Sequence, residues 1–445
     1  MRDRGAIGHA LRLFSDVRKG EAATALLLTL NVFILLTAYY LLKSAREPLI
    51  LEGEGHHGAE VKSYASAGQA MILVVLGSAY GWLASHVSRI KLITIVTLFF
   101  VSNLVLFWLF GAHGYALGVP FYLWVGCYNI MVTAQFWSFA ADIYTDEQGS
   151  RLFPIVGIGA TTGAVFGAWI ASLLSRHGVG PYLFMLGAAG LLVVALGITW
   201  LVHVRESDRV RRVSRDHSNE KIGGKNGWTV LVHDRYLLAL GVLILVLNLV
   251  NSNGEYILDR TLTQVADTMA RGDSAQYVQT FKATYFFWTN AVGVVIQSFI
   301  ASRVIRHVGV KGALFVMPAI SLVGYSVLSF IPIVRAALFV KVAENGIDYS
   351  LQNTAWQSLW IVVSRDAKYK TKQLTDGFIV RLGDVCSSVV VLLGTKVFMF
   401  DTRAFAMVNC GLVLVWLAVV VSIGRSPKND ERSTPRPSSV YCAPG

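Results

Sequence analysis

Residues 22–50 read AATALLLTLNVFILLTAYYLLKSAREPLI. The first part, Ala22–Leu42, is an apolar run long enough to cross a bilayer as an α-helix, which takes about 20 residues. It is too long for the core of a cleavable signal peptide, and residues 1–22 are polar and basic, so a retained first span is expected. The run then meets Lys43, Arg46 and Glu47 before turning apolar again at Pro48-Leu-Ile-Leu51. Steps of three and four from Lys43 put these charges on one helix face. An ionisable side chain at the bilayer centre costs at least about 2.5 kcal/mol, so such a face normally looks into a polar cavity. Two cations beside one carboxylate can bind an anion while the carboxylate orients them.

The rest of the chain extends this reading. Of 445 residues, 54% are hydrophobic and 15% charged, against about 25% charged in a soluble protein, which excludes an ordinary soluble enzyme. The net charge of +12 sits mostly in short loops, so it does not point to nucleic acid. Apolar stretches place spans at 22–50, 64–84, 91–110, 118–140, 152–174, 180–204, 236–258, 280–302, 311–330, 334–363, 377–400 and 403–424. With both termini cytoplasmic, 28 of the 39 Lys and Arg fall in cytoplasmic segments and 8 on the other side. That bias fits the positive-inside rule. The expected fold is an all-α integral membrane protein of twelve transmembrane helices, housed in a bacterial inner membrane. The basic, Gly- and Ser-rich stretch 205–235 divides it into an N-terminal half (1–204) and a C-terminal half (236–424), followed by a disordered cytoplasmic tail (425–445). Two six-helix halves on a cytoplasmic linker are the plan of the major facilitator fold, whose site lies near mid-membrane between the halves.

Further polar faces mark candidate site residues. Span 7 carries Asn248, Asn251, Ser252, Glu255 and Asp259 as one stripe, with Glu255 a candidate proton carrier or gating partner. Span 10 carries Lys341, Glu344 and Asp348 at steps of three and four; Lys341 with Glu344 reads equally as a structural ion pair. Tyr39, Tyr40, Tyr128, Trp288 and Trp356 could stack on a planar ligand. Asp142 with Arg151, and Asp376 with Arg381 and Asp384, fall at matching cytoplasmic ends of the two halves and are candidate gates. The row Gly159, Gly163 and Gly167 is a helix-packing pattern. Cys127, Cys386, Cys410 and Cys442 show no disulfide or zinc spacing, and His56-His57 reads as a solvated loop. No metal, cofactor or ATP-hydrolysing motif is present.

Several of these pieces resemble the ATP/ADP translocases of plastids and intracellular bacteria. The pieces are Tyr40-Leu-Leu-Lys-Ser-Ala-Arg46-Glu47, Phe136-Trp-Ser-Phe-Ala-Ala-Asp142-Ile143 and Asn248-Leu-Val250. The most specific is Tyr349-Ser-Leu351 followed by Lys368, Lys370, Lys372, Asp376 and Arg381-x-Gly-Asp384. The resemblance implies a twelve-helix exchanger of nucleotides or similar phosphorylated anions, with Lys43 and Arg46 facing phosphate. It departs at Val125, Asn251, Glu255, Asn353–Gln357 and Asp384, where the charges differ.

The sequence therefore predicts a monomeric secondary transporter for a small anionic substrate, a nucleotide among the candidates. Its substrate-binding residues are Tyr40, Lys43, Arg46, Glu47, Asn251, Glu255, Lys341, Glu344 and Asp348. A proton-coupled exporter of a neutral or amphipathic compound, and a non-transporting scaffold or sensor, remain open alternatives at this point.

Overall fold

The computed structural model describes residues 21–53, 57–144, 146–216, 227–268, 273–360, 363, 371–372 and 374–425. His56, Lys368, Lys370, Cys442 and most of the expected linker core and tail lie outside them. The N-terminal half holds α1 (Ala22–Leu51), α2 (Gly58–His86), α3 (Arg89–Ala112), α4 (Gly118–Ile143), α5 (Asp146–Arg176) and α6 (Pro181–Asp216). A short helix, Gly227–His233, leads into α7 (Arg235–Ala266), α8 (Asp273–Val295), α9 (Ala301–Phe330), α10 (Val334–Ile347), α11 (Val380–Lys396) and α12 (Thr402–Gly424).

Eight helical stretches among the described residues are long and apolar enough to cross a membrane. One of them, Asp273–Phe330, is two spans in series: α8 passes through a π-helical turn, Ile296–Ile300, into α9, and the chain breaks at Gly309. Gly309 has φ 71°, a conformation glycine adopts freely. The remaining spans are α2, α4 and α10, the last extended by a π-helical turn, Asp348–Gln352, and Asn353–Leu359. The protein is an all-α integral membrane protein built inside out. Ile95, Phe99, Val193, Val194 and Leu414 are exposed on its outside, whereas Glu47, Lys282, Lys341 and Glu344 are fully buried. Such an apolar exterior would aggregate in water and suits contact with lipid.

In each half the first helix is pinned to the last by a buried asparagine. Asn31 of α1 donates to Thr199 Oγ1 of α6 at 2.7 Å. Asn253 of α7 donates to Asn409 Oδ1 of α12 at 2.9 Å, and Asn409 donates back to the Val250 carbonyl at 3.1 Å. A buried amide left without such a partner would be costly, so each pair also fixes helix rotation. The small-residue row of α5 packs on α1 as its spacing predicts. A Cβ on Gly159 or Gly163 would overlap the carbonyl of Thr29 or Phe33.

Several boundaries differ from the hydropathy reading; α5 starts at Asp146 rather than 152 and α7 runs on to Ala266 rather than 258. α2 starts at Gly58 rather than 64 and α8 at Asp273 rather than 280, because their polar first turns are buried against other helices. Gln279 of α8, for example, donates to the Val179 carbonyl at 3.1 Å. α6 runs on to Asp216, into the expected linker, since a polar, basic helix end can continue in water beyond the bilayer.

Candidate functional site

The chain ends of α1 and α7 define one face of the molecule; the opposite face is called here the far face. Polar bridges between the halves gather toward the far face. Ser172 of α5 meets Thr284 of α8 at 2.8 Å, Ser388 of α11 donates to the Ser63 carbonyl of α2 at 2.6 Å, and Tyr40 donates to Asn290 Oδ1 at 2.9 Å. Between the halves lies a cavity of about 200 Å³. Its wall takes Tyr40, Lys43, Arg46 and Glu47 from α1, Lys62 from α2, Asn251, Glu255 and Asp259 from α7, and Asp384 from α11.

Helical spacing turns the charged end of α1 into this cavity. Lys43 Nζ lies 4.2 Å from the ring centre of Phe286 and 5.4 Å from that of Tyr40. Among the described residues no carboxylate pairs with it. Arg46 is held on both sides: its Nε donates to Glu47 Oε1 at 3.1 Å, and its guanidinium lies 4.5 Å over the Tyr122 ring. Cation–π contact of this kind holds a guanidinium plane without using up its N–H donors.

Glu47 is also the start of an ionic bridge across the halves. Lys62 Nζ donates to Glu47 Oε2 at 2.5 Å and lies 2.8 Å from Asp259 Oδ2 of α7. Lys282 of α8 pairs with Asp259 and stands 3.7 Å from both Glu47 and Glu255. All but Glu255, whose side chain is 29% exposed, are at most 10% exposed. Charges this deep are tolerable only as a closed set, since a single buried ion costs several kcal/mol. Glu255 itself accepts from Asn345 at 2.9 Å and from Tyr285.

Lys341 and Glu344 form a structural pair behind the wall, 2.7 Å apart. Ser321 and Tyr325 complete Glu344, and Lys341 also donates to Asn251 Oδ1 at 2.5 Å. Asn251 therefore reaches the cavity with its carbonyl already engaged. Neither Lys341 nor Glu344 is among the cavity's lining residues, and Asp348, in the π-helical turn beyond, neither lines it nor pairs with them.

The expected gate residues separate into four local contacts. Asp142 pairs with Arg89, Arg151 with Glu21 (3.3 Å) and Asp376 with Lys372 (3.4 Å). Arg381 pairs with Asp384 at 3.0 Å, and Asp384 also accepts from Ser252 at 2.8 Å and Asn248 at 2.9 Å. Asp384 thus belongs to the cavity wall. Of the aromatic candidates, Tyr40 reaches the cavity, whereas Trp288 is half-exposed and Trp356 donates to Asp376 at 3.0 Å. The sequence reading left Lys62 and Lys282 out of the site and did not place Asp259 in it. Lys282 carried a usable signal, as a lone ammonium within a predicted span. Lys62 carried none, because the hydropathy boundary at 64 put it in a loop.

Residues 138–365 match the family model described as Major Facilitator Superfamily. The chain is 21% identical over 342 residues to ADP,ATP carrier protein 1 of Chlamydia muridarum, covering 67% of this chain and 62% of that protein. It thus spans about three fifths of that relative. It is also 21% identical over 491 residues to ADP,ATP carrier protein 2 of Chlamydia trachomatis, covering 93% and 90% respectively. Solved structures share the fold at low identity. A variant of the nucleoside transporter NupG superposes with TM-score 0.64 at 15% identity, covering 89% of this chain and 99% of that one. The peptide-transporter-family protein PepTSo gives 0.62 at 13%, covering 91% and 98%.

The chain belongs to the major facilitator superfamily. It is distantly similar to the ADP,ATP carriers of chlamydiae.

Proposed function

We propose that the protein carries a small organic anion by alternating access, with Lys43 and Arg46 as the anion-binding pair. The observation that carries this reading is Lys43: a cation on the cavity wall, ringed by aromatic side chains, with no carboxylate partner among the described residues. A buried charge without a counter-ion is unfavourable, and an incoming anion relieves it. Arg46 keeps donors free beside its bond to Glu47 and can chelate a phosphate or carboxylate in a fork. The Glu47–Lys62–Asp259–Lys282 bridge closes the far face in this state and parts when that face opens. Arg89–Asp142, Glu21–Arg151 and Lys372–Asp376 act as gates on the face of the chain ends, the side to which the Lys/Arg bias of the sequence points as cytoplasmic.

A phosphorylated cargo is supported by the names of the relatives and by the α1 motif. The 200 Å³ cavity is below the usual range of about 300–1,000 Å³ for ligand sites, so a nucleotide requires it to widen. Exchange is favoured over net flux, because an empty carrier must reorient with Lys43 uncompensated. The test is uptake of labelled ADP, and in parallel of small labelled phosphate esters, by proteoliposomes preloaded with ATP or the same ester. Counterflow that requires internal anion and is lost in Lys43→Gln supports the reading. A correctly folded protein that moves no anion refutes it. Glu255, the most exposed carboxylate of the ionic network, favours a second reading in which a proton is carried. PH-driven transport abolished by Glu255→Gln, with no anion exchange in the unaltered protein, would select it.

A further inference from the structure

We infer that the cargo is a compact, polyhydroxylated phosphate ester, a sugar or polyol monophosphate. Its phosphate sits at Lys43 and Arg46 of the N-terminal half, and its hydroxyl groups meet Thr289, Asn345 and Ser387 of the C-terminal half. This rests on the anion-transport reading above and narrows it.

The first observation is a set of unspent hydrogen-bonding groups on the cavity wall. Thr289 of α8, Asn345 of α10 and Ser387 of α11 all line the cavity and are at most 4% exposed. Thr289 Oγ1, Asn345 Oδ1 and Ser387 Oγ each lack a hydrogen-bond partner among the described residues. A hydroxyl inside a helix can return to the carbonyl four residues back. Thr284 does so to Thr280 at 2.7 Å, Ser388 to Asp384 at 3.0 Å and Thr395 to Val391 at 2.8 Å. Thr289 and Ser387, on the same two helices, make no such bond. A buried polar group left unpaired is costly, so three on one wall mark a place where something else supplies the missing bonds. Their chemistry says what. The Asn345 amide is oriented by its donation to Glu255 Oε1 at 2.9 Å, so the free atom is its carbonyl oxygen, which only accepts. The two hydroxyls donate or accept. A fully ionised phosphate or carboxylate offers acceptors alone, whereas an alcohol offers both roles.

The second observation is how the two kinds of group are divided. Lys43 and Arg46 come from α1, and the three unspent groups come from α8, α10 and α11. A cargo with an anionic head and alcohol groups on its body engages both halves at once. The third observation is what the cavity withholds from a nucleobase. One face of Phe286 and of Tyr40 is taken by Lys43, of Tyr122 by Arg46 and of Tyr285 by Lys282. A volume of about 200 Å³ likewise suits a cargo that has no base to house.

The experiment measures binding to the full-length protein in nanodiscs by equilibrium dialysis, with empty discs subtracted. Two pairs of monoesters differ only in hydroxyl content: propyl phosphate against glycerol 3-phosphate, and pentyl phosphate against ribitol 5-phosphate. ADP is presented alongside them. Each hydroxylated ester should bind at least about 10-fold more tightly than its alkyl partner, the net worth of one to two hydrogen bonds. ADP should bind no more tightly than ribitol 5-phosphate. Thr289→Val and Ser387→Ala remove the hydroxyls with little change of shape, and both should fold, since neither hydroxyl has a protein partner among the described residues. Each should lower the affinity for ribitol 5-phosphate toward that of pentyl phosphate. Lys43→Gln should weaken all four monoesters. Alkyl esters that bind as tightly as their hydroxylated partners overturn this inference and leave the anion reading standing. A preference that persists unchanged in both variants overturns it too, because the hydroxyls are then met elsewhere. ADP binding more tightly than ribitol 5-phosphate puts a base in the site and overturns the compact cargo. If no phosphate ester binds to folded protein, this inference falls, and the counterflow assay above decides the anion reading separately.

Discussion

Replacing Lys62 by Met tests whether the ionic bridge holds the far face shut. Lys62 is the one contact through which α2 joins both Glu47, at 2.5 Å, and Asp259, at 2.8 Å. Both carboxylates are at most 3% exposed. Removing one partner of such a buried set costs about 3–5 kcal/mol, because the remaining charges stay buried with fewer counter-ions. Lys282 still contacts Asp259 and stands 3.7 Å from Glu47, so the low end applies, about 3 kcal/mol. If the bridge exists only with the far face closed, the whole cost falls on that state. The closed-to-open ratio then drops roughly 100-fold, at 1.4 kcal/mol per decade. Spin labels at the exposed far-face positions Tyr115 and Val397 would report this as a new population at longer distance. Lys62→Arg, which keeps the charge, should retain the short distance. An unchanged distribution in folded Lys62→Met protein would refute the idea that the bridge is a gate.

Other outcomes can be stated more briefly. Lys43→Gln should reduce anion uptake at least 10-fold at matched expression, and Arg46→Lys should reduce it less, since it keeps the charge and loses the fork and the stacking on Tyr122; wild-type uptake in both would remove α1 from the site. A Ser172→Cys/Thr284→Cys pair, placed where the hydroxyls meet at 2.8 Å, should cross-link on oxidation and stop transport until reduced. Cross-linked protein that still transports would show that α5 and α8 need not separate. Gly254→Ala should lower the unfolding temperature, because its Cβ would overlap Tyr325 Oη and push that hydroxyl off Glu344, a cost of about 1–3 kcal/mol. Unchanged thermal unfolding would mean that Tyr325 can move at no cost.

The architecture was legible because a bilayer imposes a length and a polarity on every span, and those are properties of local sequence. The α1 charges were legible for the same reason: Lys43, Arg46 and Glu47 interrupt an apolar run at helical spacing. Partners across the halves were not legible. Nothing near Lys62 in sequence indicates that it meets Asp259, and a hydropathy window trims off the polar turn that bears it. Polar turns at α2 and α8 are buried by helices from the other half, whereas a hydropathy argument credits only lipid as a burying medium. The Lys341–Glu344 spacing was readable as a pair, and both are engaged with Ser321, Tyr325 and Asn251 behind the wall.

The departures from the resemblance acquire a physical reason when α7 is viewed as a row of acceptors. Asn251, Glu255 and Asp259 stand at steps of four along one face. Each meets cations brought by other helices: Lys341 from α10 at Asn251, Lys282 and Lys341 at Glu255, and Lys282 and Lys62 at Asp259. A carboxylate at 255 is thus answered within the C-terminal half, and α7 has no need of a substrate to balance it. The unbalanced charge lies on α1, one turn from Glu47, and this joins binding to gating through two adjacent residues. Arg46 holds Glu47 on the cavity side while Lys62 and Lys282 hold it on the bridge side. On the proposed reading, an anion at the free N–H donors of Arg46 would draw the guanidinium charge away from Glu47, whose remaining interactions are those of the bridge. On that same reading, substrate binding at Arg46 would change the energy of the far-face closure through Glu47. That is the differential interaction between two states that a ligand must make if it is to shift their populations.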